Sequence, residues 1–253
     1  MNVTLLAHTQ LSDKFYDSFD EYGAHGSYEG NDIDRMDATD GQVVALSAIR
    51  TCYSANKPSE IVANEGSKYF GSKATDGGTG TEAERLFRQI VASKHTSTLE
   101  HITFTFAVEG VSRALLAQLT RHRVGFSFSV QSQRYVKFGS GDRSGGFDVV
   151  IPQTVIDRGS SAVAVFKAAM EATQIDYDTL RSLGVPAEDA RAVLPNAAAT
   201  NLVMTVNLRA ALDFYGKRKA GRGAQAEIAA FAERLREEIV AAEPWLDQFF
   251  DKA

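Results

Sequence analysis

His101-Ile102-Thr103-Phe104-Thr105-Phe106-Ala107-Val108-Glu109 alternates cleanly along its length. Ile102, Phe104, Phe106 and Val108 point one way and Thr103, Thr105 and Ala107 the other, the period-two pattern of a strand with one buried face. Ser112 follows as the N-cap of a helix expected to run to about His122, and Phe126 to Tyr135 reads as extended. Upstream, Val3 to Ala7 reads as a short strand, and residues 10–35 are polar and mixed, with no clear pattern. Val43, Val44, Leu46, Ile49 and Tyr53 give helical spacing over 40–53. Residues 54–80, rich in Ser, Gly, Asn and Lys and ending in Gly77-Gly78-Thr79-Gly80, read as a long loop or insertion. Thr81-Glu82-Ala83-Glu84 then has the form of a capping box, with Leu86, Phe87, Ile90 and Val91 at helical spacing behind it.

Downstream, residues 139–146 form a turn or mobile loop, and Phe147 to Ile151 a short strand stopped by Pro152. Val163, Phe166, Met170, Ile175 and Leu180 mark one long amphipathic helix. Leu202 to Leu208 suits strand or helix, and residues 210–219 and 224–240 read as helices. The sum is a single α+β domain over residues 1–253, strands mostly early and helices late.

Apolar residues make up 44% and charged residues 23% of the 253, an ordinary globular composition. The net charge of -5 disfavours general nucleic-acid binding, although local arginine clusters can still hold a small anion. With one cysteine, Cys52, neither an intrachain disulfide nor a cysteine-rich zinc site can form, and no set of residues has metal-ligand spacing. Cys52, at a helix end, reads as core packing rather than a nucleophile. No apolar run is long enough to span a membrane, and the N-terminus lacks the form of a secretory signal, so a cytoplasmic location is expected.

The chemistry concentrates in residues 95–134. His95, Ser97, Glu100, Gln118, Arg121, His122, Arg123, Ser132 and Arg134 all fall there. Gln118 and Arg121, three apart on the expected helix, would share a face. Arg121-His122-Arg123 at the end of that helix suits its dipole whatever else it does. In an extended segment Ser132 and Arg134 would also share a face, pairing a hydroxyl with a guanidinium fork suited to a phosphate or a carbonyl-rich ring. Ser132 has no general base beside it in sequence and no nucleophile-elbow pattern around it, so a binding role is favoured over a hydrolase. Gly221-Arg222-Gly223 lies after a helical stretch rather than a strand, so it is discounted as a dinucleotide fingerprint.

Arg121-His122-Arg123, eight residues, then Ser132, Arg134 and Tyr135 resembles the signature of flavin-dependent thymidylate synthases. Arg50-Thr51-Cys52-Tyr53, the His95–His101 segment, Arg191-Ala192-Val193-Leu194-Pro195, Asn207-Leu208-Arg209, Arg218 and Glu227-Ile228 resemble further family segments in the same order. The resemblance implies a central, mostly antiparallel sheet flanked by helices, assembled as a homotetramer. It implies an FAD site at subunit interfaces lined by His95, Ser97, Glu100, Arg121, His122, Arg123, Asn207, Arg209 and Asp213. It implies a dUMP site formed by Gln118, Arg121, Gln131, Ser132, Arg134, Arg191 and Arg218, with Arg218 polarising the uracil ring and Ser132 beside it in the reacting set. The implied reaction reductively methylates dUMP to dTMP, with methylenetetrahydrofolate as one-carbon donor and NADPH as reductant through FAD.

Three departures stand out. The gap between Arg123 and Ser132 is one residue longer than in many members, near Gly125, which leaves the register of Val130 and Gln131 ambiguous by one. Asp213 stands where an amide is common. No histidine follows His122, so the one many members carry a turn after Arg218 is missing, and Arg222 is the residue at hand to replace it. The alternative reading is a non-catalytic nucleotide- or flavin-binding relative.

Overall fold

The computed structural model describes residues 1–17 and 38–250. Its fold is α+β. A four-stranded antiparallel sheet has the order β1 (Asn2–His8), β2 (Thr103–Ser112), β4 (Ala199–Asn207), β3 (Phe126–Val130). The helices include α1 (Asp40–Thr51), α2 (Ile61–Phe70), α3 (Glu82–Ala92), α4 (Arg113–Leu119), α5 (Gln153–Asp157), α6 (Ser160–Ser182), α7 (Ala187–Ala190), α8 (Leu208–Arg218), α9 (Ala226–Ala242) and α10 (Asp247–Phe250). Ile102, Phe104, Phe106 and Val108 are all fully buried, as the alternation requires. The Leu202–Leu208 ambiguity resolves as strand, with Leu202, Met204 and Val206 buried at period two.

The chain divides into two compact units. The first comprises residues 1–6, 105–205 and 214–238. Within it, Phe214 and Phe231 pack edge to face at 5.9 Å, and both are fully buried. A second cluster joins Phe138, Tyr177 and Ala190, and the Tyr177 hydroxyl accepts from the Phe138 N–H at 3.2 Å. The long helix α6 appears where its spacing predicts, but Tyr177 is its one buried residue, and Val165 and Ile175 are 73% and 65% exposed. Phe147–Ile151 does not form a strand; it makes a single bridge, Val149 to Ala198.

The second unit comprises residues 7–104, 206–213 and 239–253. Its core holds Leu46, Ile49, Ile61, Phe87, Ile90 and Leu99, and Phe87 lies 4.6 Å from the ring of Trp245. Residues 54–80 are not one long loop. Helix α2 occupies 61–70 and buries Ile61, Val62, Tyr69 and Phe70. Its Glu65 accepts from Arg50 Nε at 2.6 Å, from Asn56 Nδ2 at 2.9 Å and from the Ser54 hydroxyl. Burial alone would raise the Glu65 carboxyl, but these bonds outweigh it and hold the group below the usual carboxylate range. Thr81 caps α3 through the Glu84 N–H, while the full reciprocal box belongs to Thr39 and Gln42 at α1. Behind that box, buried Glu243 accepts from the Thr39 hydroxyl and from Trp245 Nε1 at 2.6 Å. Cys52 is exposed at the end of α1, so the core-packing reading of it is wrong: the helix turns its last residues outward.

Just past Ser93, the C-cap of α3, Lys94 takes φ +60° while the His95 N–H reaches back to the Ile90 carbonyl at 3.2 Å. A side chain in this left-handed position costs about 1 kcal/mol that glycine avoids. Lys94→Gly should therefore stabilise the protein by about 0.5–1 kcal/mol even after the extra entropy of an unfolded glycine. The check is a denaturant midpoint that rises at unchanged slope; a falling midpoint would show that the lysine side chain stabilises this turn.

Candidate active site

In the first unit the site begins at the N-terminus of α4. Ser112 Oγ accepts from the Leu115 N–H at 2.9 Å and is itself fixed by Glu227, whose Oε2 lies 2.6 Å from it. The helix stops at Leu119 rather than about His122, with Thr120 as its C-cap. Arg121 therefore lies past the helix, and the shared helical face expected for it and Gln118 does not exist. His122 stays tied to the helix end, its N–H donating to the Leu119 carbonyl at 3.0 Å. Arg121 and Arg123 are exposed, as is Val124. Gly125 turns the chain with φ +75°.

Arg218, at the end of α8, meets this turn. Its Nε lies 3.1 Å from His122 Nε2, and its Nη2 donates to the Gln118 carbonyl at 3.4 Å. The Gln118 amide Nε2 donates to Gln225 Oε1 at 2.5 Å and to the Ala114 carbonyl at 3.3 Å, which leaves its own oxygen as the acceptor. Gln118, His122 and Arg218 are thus brought together across about a hundred residues of sequence.

A second group gathers beyond β3. That strand ends at Val130, and residues 133–135 form a turn, so Ser132 and Arg134 are not on one face of an extended segment. They are joined differently: Ser132 Oγ accepts from the Arg134 N–H at 3.1 Å, and its carbonyl accepts from Val136 at 2.9 Å. No described contact sets a base beside the Ser132 hydroxyl. Arg134 Nε donates to Glu188 at 2.6 Å, and Arg191 Nε to the Glu188 carbonyl at 2.9 Å. The Gln131 carbonyl accepts from Arg113 Nη2 at 2.9 Å, and its side-chain oxygen accepts from Asn201 at 3.3 Å. Gln131 also lines a cavity of about 620 Å³ with Gly110, Asp148 and Asn201. Burial first, and the neighbouring Arg191 second, push the Arg113 guanidinium below the ordinary arginine range. Its Nε is buried without a partner.

In the second unit, Arg209 Nη1 donates to Glu100 at 2.5 Å, and both side chains are about half exposed. Asn207 Oδ1 caps α8 through the Ala210 N–H at 2.9 Å. Asp213 is exposed one turn beyond Arg209 on the same helix. His95 Nδ1 lies 2.8 Å from the Tyr53 hydroxyl. Ser97 lines a largely apolar cavity of about 640 Å³ with Val44, Ala48, Cys52 and His101. Asn207 and Arg209 at the start of an eleven-residue helix form a donor set suited to a diphosphate.

Sequence reading missed Arg113, Glu188 and Gln225. Arg113 had one legible signal, a cation in the first turn of a helix, where the dipole disfavours it. Glu188 and Gln225 had none, because their relevance comes only from which arginine or amide they touch. Arg222 is exposed and makes no described contact with Arg218; the imidazole beside that arginine is His122. Gly221-Arg222-Gly223 links α8 to α9 without a preceding strand, in line with the reading that discounted it. His25 lies outside the described residues, which also hold no cluster of three or more His, Cys, Asp or Glu able to bind a metal. Among them, no helix is long and apolar enough to cross a membrane.

The family model described as thymidylate synthase complementing protein matches residues 34–245. A flavin-dependent thymidylate synthase of Geobacter sulfurreducens is 45% identical over 159 residues, covering 62% of this chain and 66% of the relative. One of Nitratidesulfovibrio vulgaris is 47% identical over 152 residues, covering 57% and 58%. The chain thus matches somewhat less than two thirds of the length of these relatives. Among solved structures, the fold is similar to that of thymidylate synthase X from Helicobacter pylori, solved with FAD and dUMP. The TM-score is 0.63 at 20% identity, covering 100% of this chain and 98% of that one, a likeness of fold alone.

Proposed function

Since this chain belongs to the flavin-dependent thymidylate synthase family, we propose that it reductively methylates dUMP to dTMP, using methylenetetrahydrofolate as the one-carbon donor and NADPH as the reductant through FAD. The observation that carries the reading is the arrangement in the first unit. Arg218 stands against Gln118 and His122, and Gln131, Ser132, Arg134 and Arg191 stand with Arg113 in a cationic cluster. The family match runs through both units, which supports reading residues 1–253 as one synthase domain.

In this reading the cluster of Arg113, Ser132, Arg134 and Arg191 takes the nucleotide phosphate. Gln118, its amide nitrogen already engaged by Gln225, offers its oxygen to the ring N–H of uracil. Arg218 stabilises the negative charge that builds on the ring oxygens as the ring is activated. Ser132 orients the nucleotide rather than attacking it. Asn207 and Arg209 would hold the diphosphate of FAD, with His95, Ser97, Glu100 and Asp213 from the same unit; Arg121, His122 and Arg123, in the first unit, are assigned to FAD by the family resemblance alone. FAD, when bound, supplies hydride transfer from NADPH to the one-carbon unit on the nucleotide. We further infer a homotetramer with FAD sites at subunit interfaces; the exposed apolar side chains Val165, Ile175 and Leu183 on and after α6 support burial of that helix in an assembly.

Glu188 and an incoming phosphate compete for Arg134. The pair is exposed on both sides, so its strength is about 0.2–1 kcal/mol. Glu188→Gln should tighten dUMP binding by roughly two- to five-fold, read by calorimetric titration; weaker binding would mean that Glu188 orients the arginine instead.

The test of the function itself is the absorption spectrum of the purified protein, followed anaerobically on adding NADPH with and without dUMP. A flavin band that bleaches faster with dUMP, and tritium release from labelled dUMP, are the expected results. A protein that cannot be loaded with FAD overturns the proposal and leaves the non-catalytic reading.

A further inference from the structure

A guanidinium Nε is a donor with no acceptor capacity. The 3.1 Å contact from Arg218 Nε therefore requires a lone pair on His122 Nε2, with the ring proton on Nδ1. The imidazole is held so that this lone pair stays on target. Its ring meets Phe214 edge to face at 4.9 Å and 82°, and Phe126 at 6.0 Å. Phe214 is fully buried and lies one turn before Arg218 on α8, so one helix supplies both the wall behind the imidazole and the guanidinium in front of it. The Gln118 carbonyl takes Nη2 of the same guanidinium at 3.4 Å. One edge of Arg218 is thus fixed by His122 and Gln118, and Nη1 has no partner among the described contacts.

We propose that His122 is a positioning residue that holds Arg218 in its working orientation only while the imidazole is neutral, so that acid releases the guanidinium and uncouples nucleotide activation. The proposal rests on the role of Arg218 in the preceding reading. Protonation would set a donor N–H and a positive charge against a guanidinium that can only donate. Arg218 from α8 is a charged group against the ring; Phe214 and Phe126 do not titrate, and Arg121 and Arg123 flank His122 in the chain. Positioning is present above the pH at which His122 gains its proton and is lost as pH falls through it.

Two measurements test this on the full-length protein. With only five histidines, ring carbon-13 labelling gives few signals, and the one absent from His122→Gln identifies His122. Its titration midpoint should rise by about one unit in Arg218→Met, because the donor that demands the lone pair is gone. This readout needs neither flavin nor turnover. Second, kcat and KM for dUMP are followed from pH 5.5 to 8.5 on FAD-loaded protein, with flavin content measured for each variant. His122→Gln keeps an acceptor oxygen but does not titrate; its turnover is reduced, and the acid limb of the wild-type kcat profile disappears. His122→Leu, without an acceptor, loses about ten- to a hundred-fold in kcat at every pH at equal flavin content. A His122 midpoint indifferent to Arg218 overturns the proposal. So does an acid limb that survives in His122→Gln. A chain that binds neither FAD nor dUMP overturns the synthase reading instead, and the labelled titration then decides the contact by itself.

Discussion

Arg218→Ala is expected to lower dUMP turnover by about 10²–10³-fold, the usual loss when one preorganised donor to developing negative charge is removed. The guanidinium is half-buried and tied by His122 and Gln118, so it does not have to reorganise when ring charge appears. Most of the loss should fall in kcat rather than in KM for dUMP, because the phosphate is assigned to other arginines. Anaerobic reduction of bound FAD by NADPH should proceed in the variant, since that half of the reaction does not use the charge on the ring. Arg218→Lys is expected to recover little: an ammonium is a single point of charge and cannot bond both His122 and the ring oxygens as the planar fork does. Tritium release from labelled dUMP measures the first effect and stopped-flow flavin bleaching the second. Turnover within ten-fold of wild type in Arg218→Ala would remove Arg218 from the chemical step.

The strand through Phe104 and Phe106 was legible because a half-buried strand needs side chains of period two and nothing else nearby imitates that pattern. Helix α2 was not, because Ser, Gly, Asn and Lys dominate residues 54–68 and its four buried apolar residues are split between its two ends. What holds that helix is Glu65 gathering Arg50, Ser54 and Asn56, a tertiary arrangement that no local pattern encodes. Glu243 is similar: a carboxylate near the chain end gives no hint that it closes the cap of α1 from the far side of the sequence. At the site, several motif residues meet, but not through the geometry expected for them. Ser132 and Arg134 come together through a hydroxyl-to-backbone turn instead of strand alternation. Arg121 lies beyond its helix because the chain turns at Thr120. The meeting of His122 with Arg218 depends on how α8 packs, which spacing along the chain does not contain.

Arg113→Met should affect stability and binding in opposite directions. Three features make Arg113 costly where it stands. It is the first residue of α4, where the helix dipole repels a cation. It is desolvated beside a second cation, Arg191, yet it remains charged at neutral pH. Its Nε is buried without a hydrogen-bond partner, and one Nη contact to the Gln131 carbonyl is the compensation described for it. An anion bridging Arg113 and Arg191 would reverse all three at once. It would neutralise the like charges, satisfy Nε and place negative charge at the helix start. Methionine keeps the packing of the aliphatic stem and removes the charge. The variant without nucleotide should therefore be as stable as wild type, or more stable by up to about 1 kcal/mol. Its affinity for dUMP should fall by roughly 10- to 100-fold, the loss of about 1.5–3 kcal/mol of charge-assisted hydrogen bonding. Deoxyuridine, which has no phosphate, should bind wild type and variant alike, and that control separates a phosphate contact from a general distortion of the site. If the variant loses stability and dUMP binding is unchanged, Arg113 braces the Gln131 turn and the phosphate belongs to Arg134 and Arg191 without it.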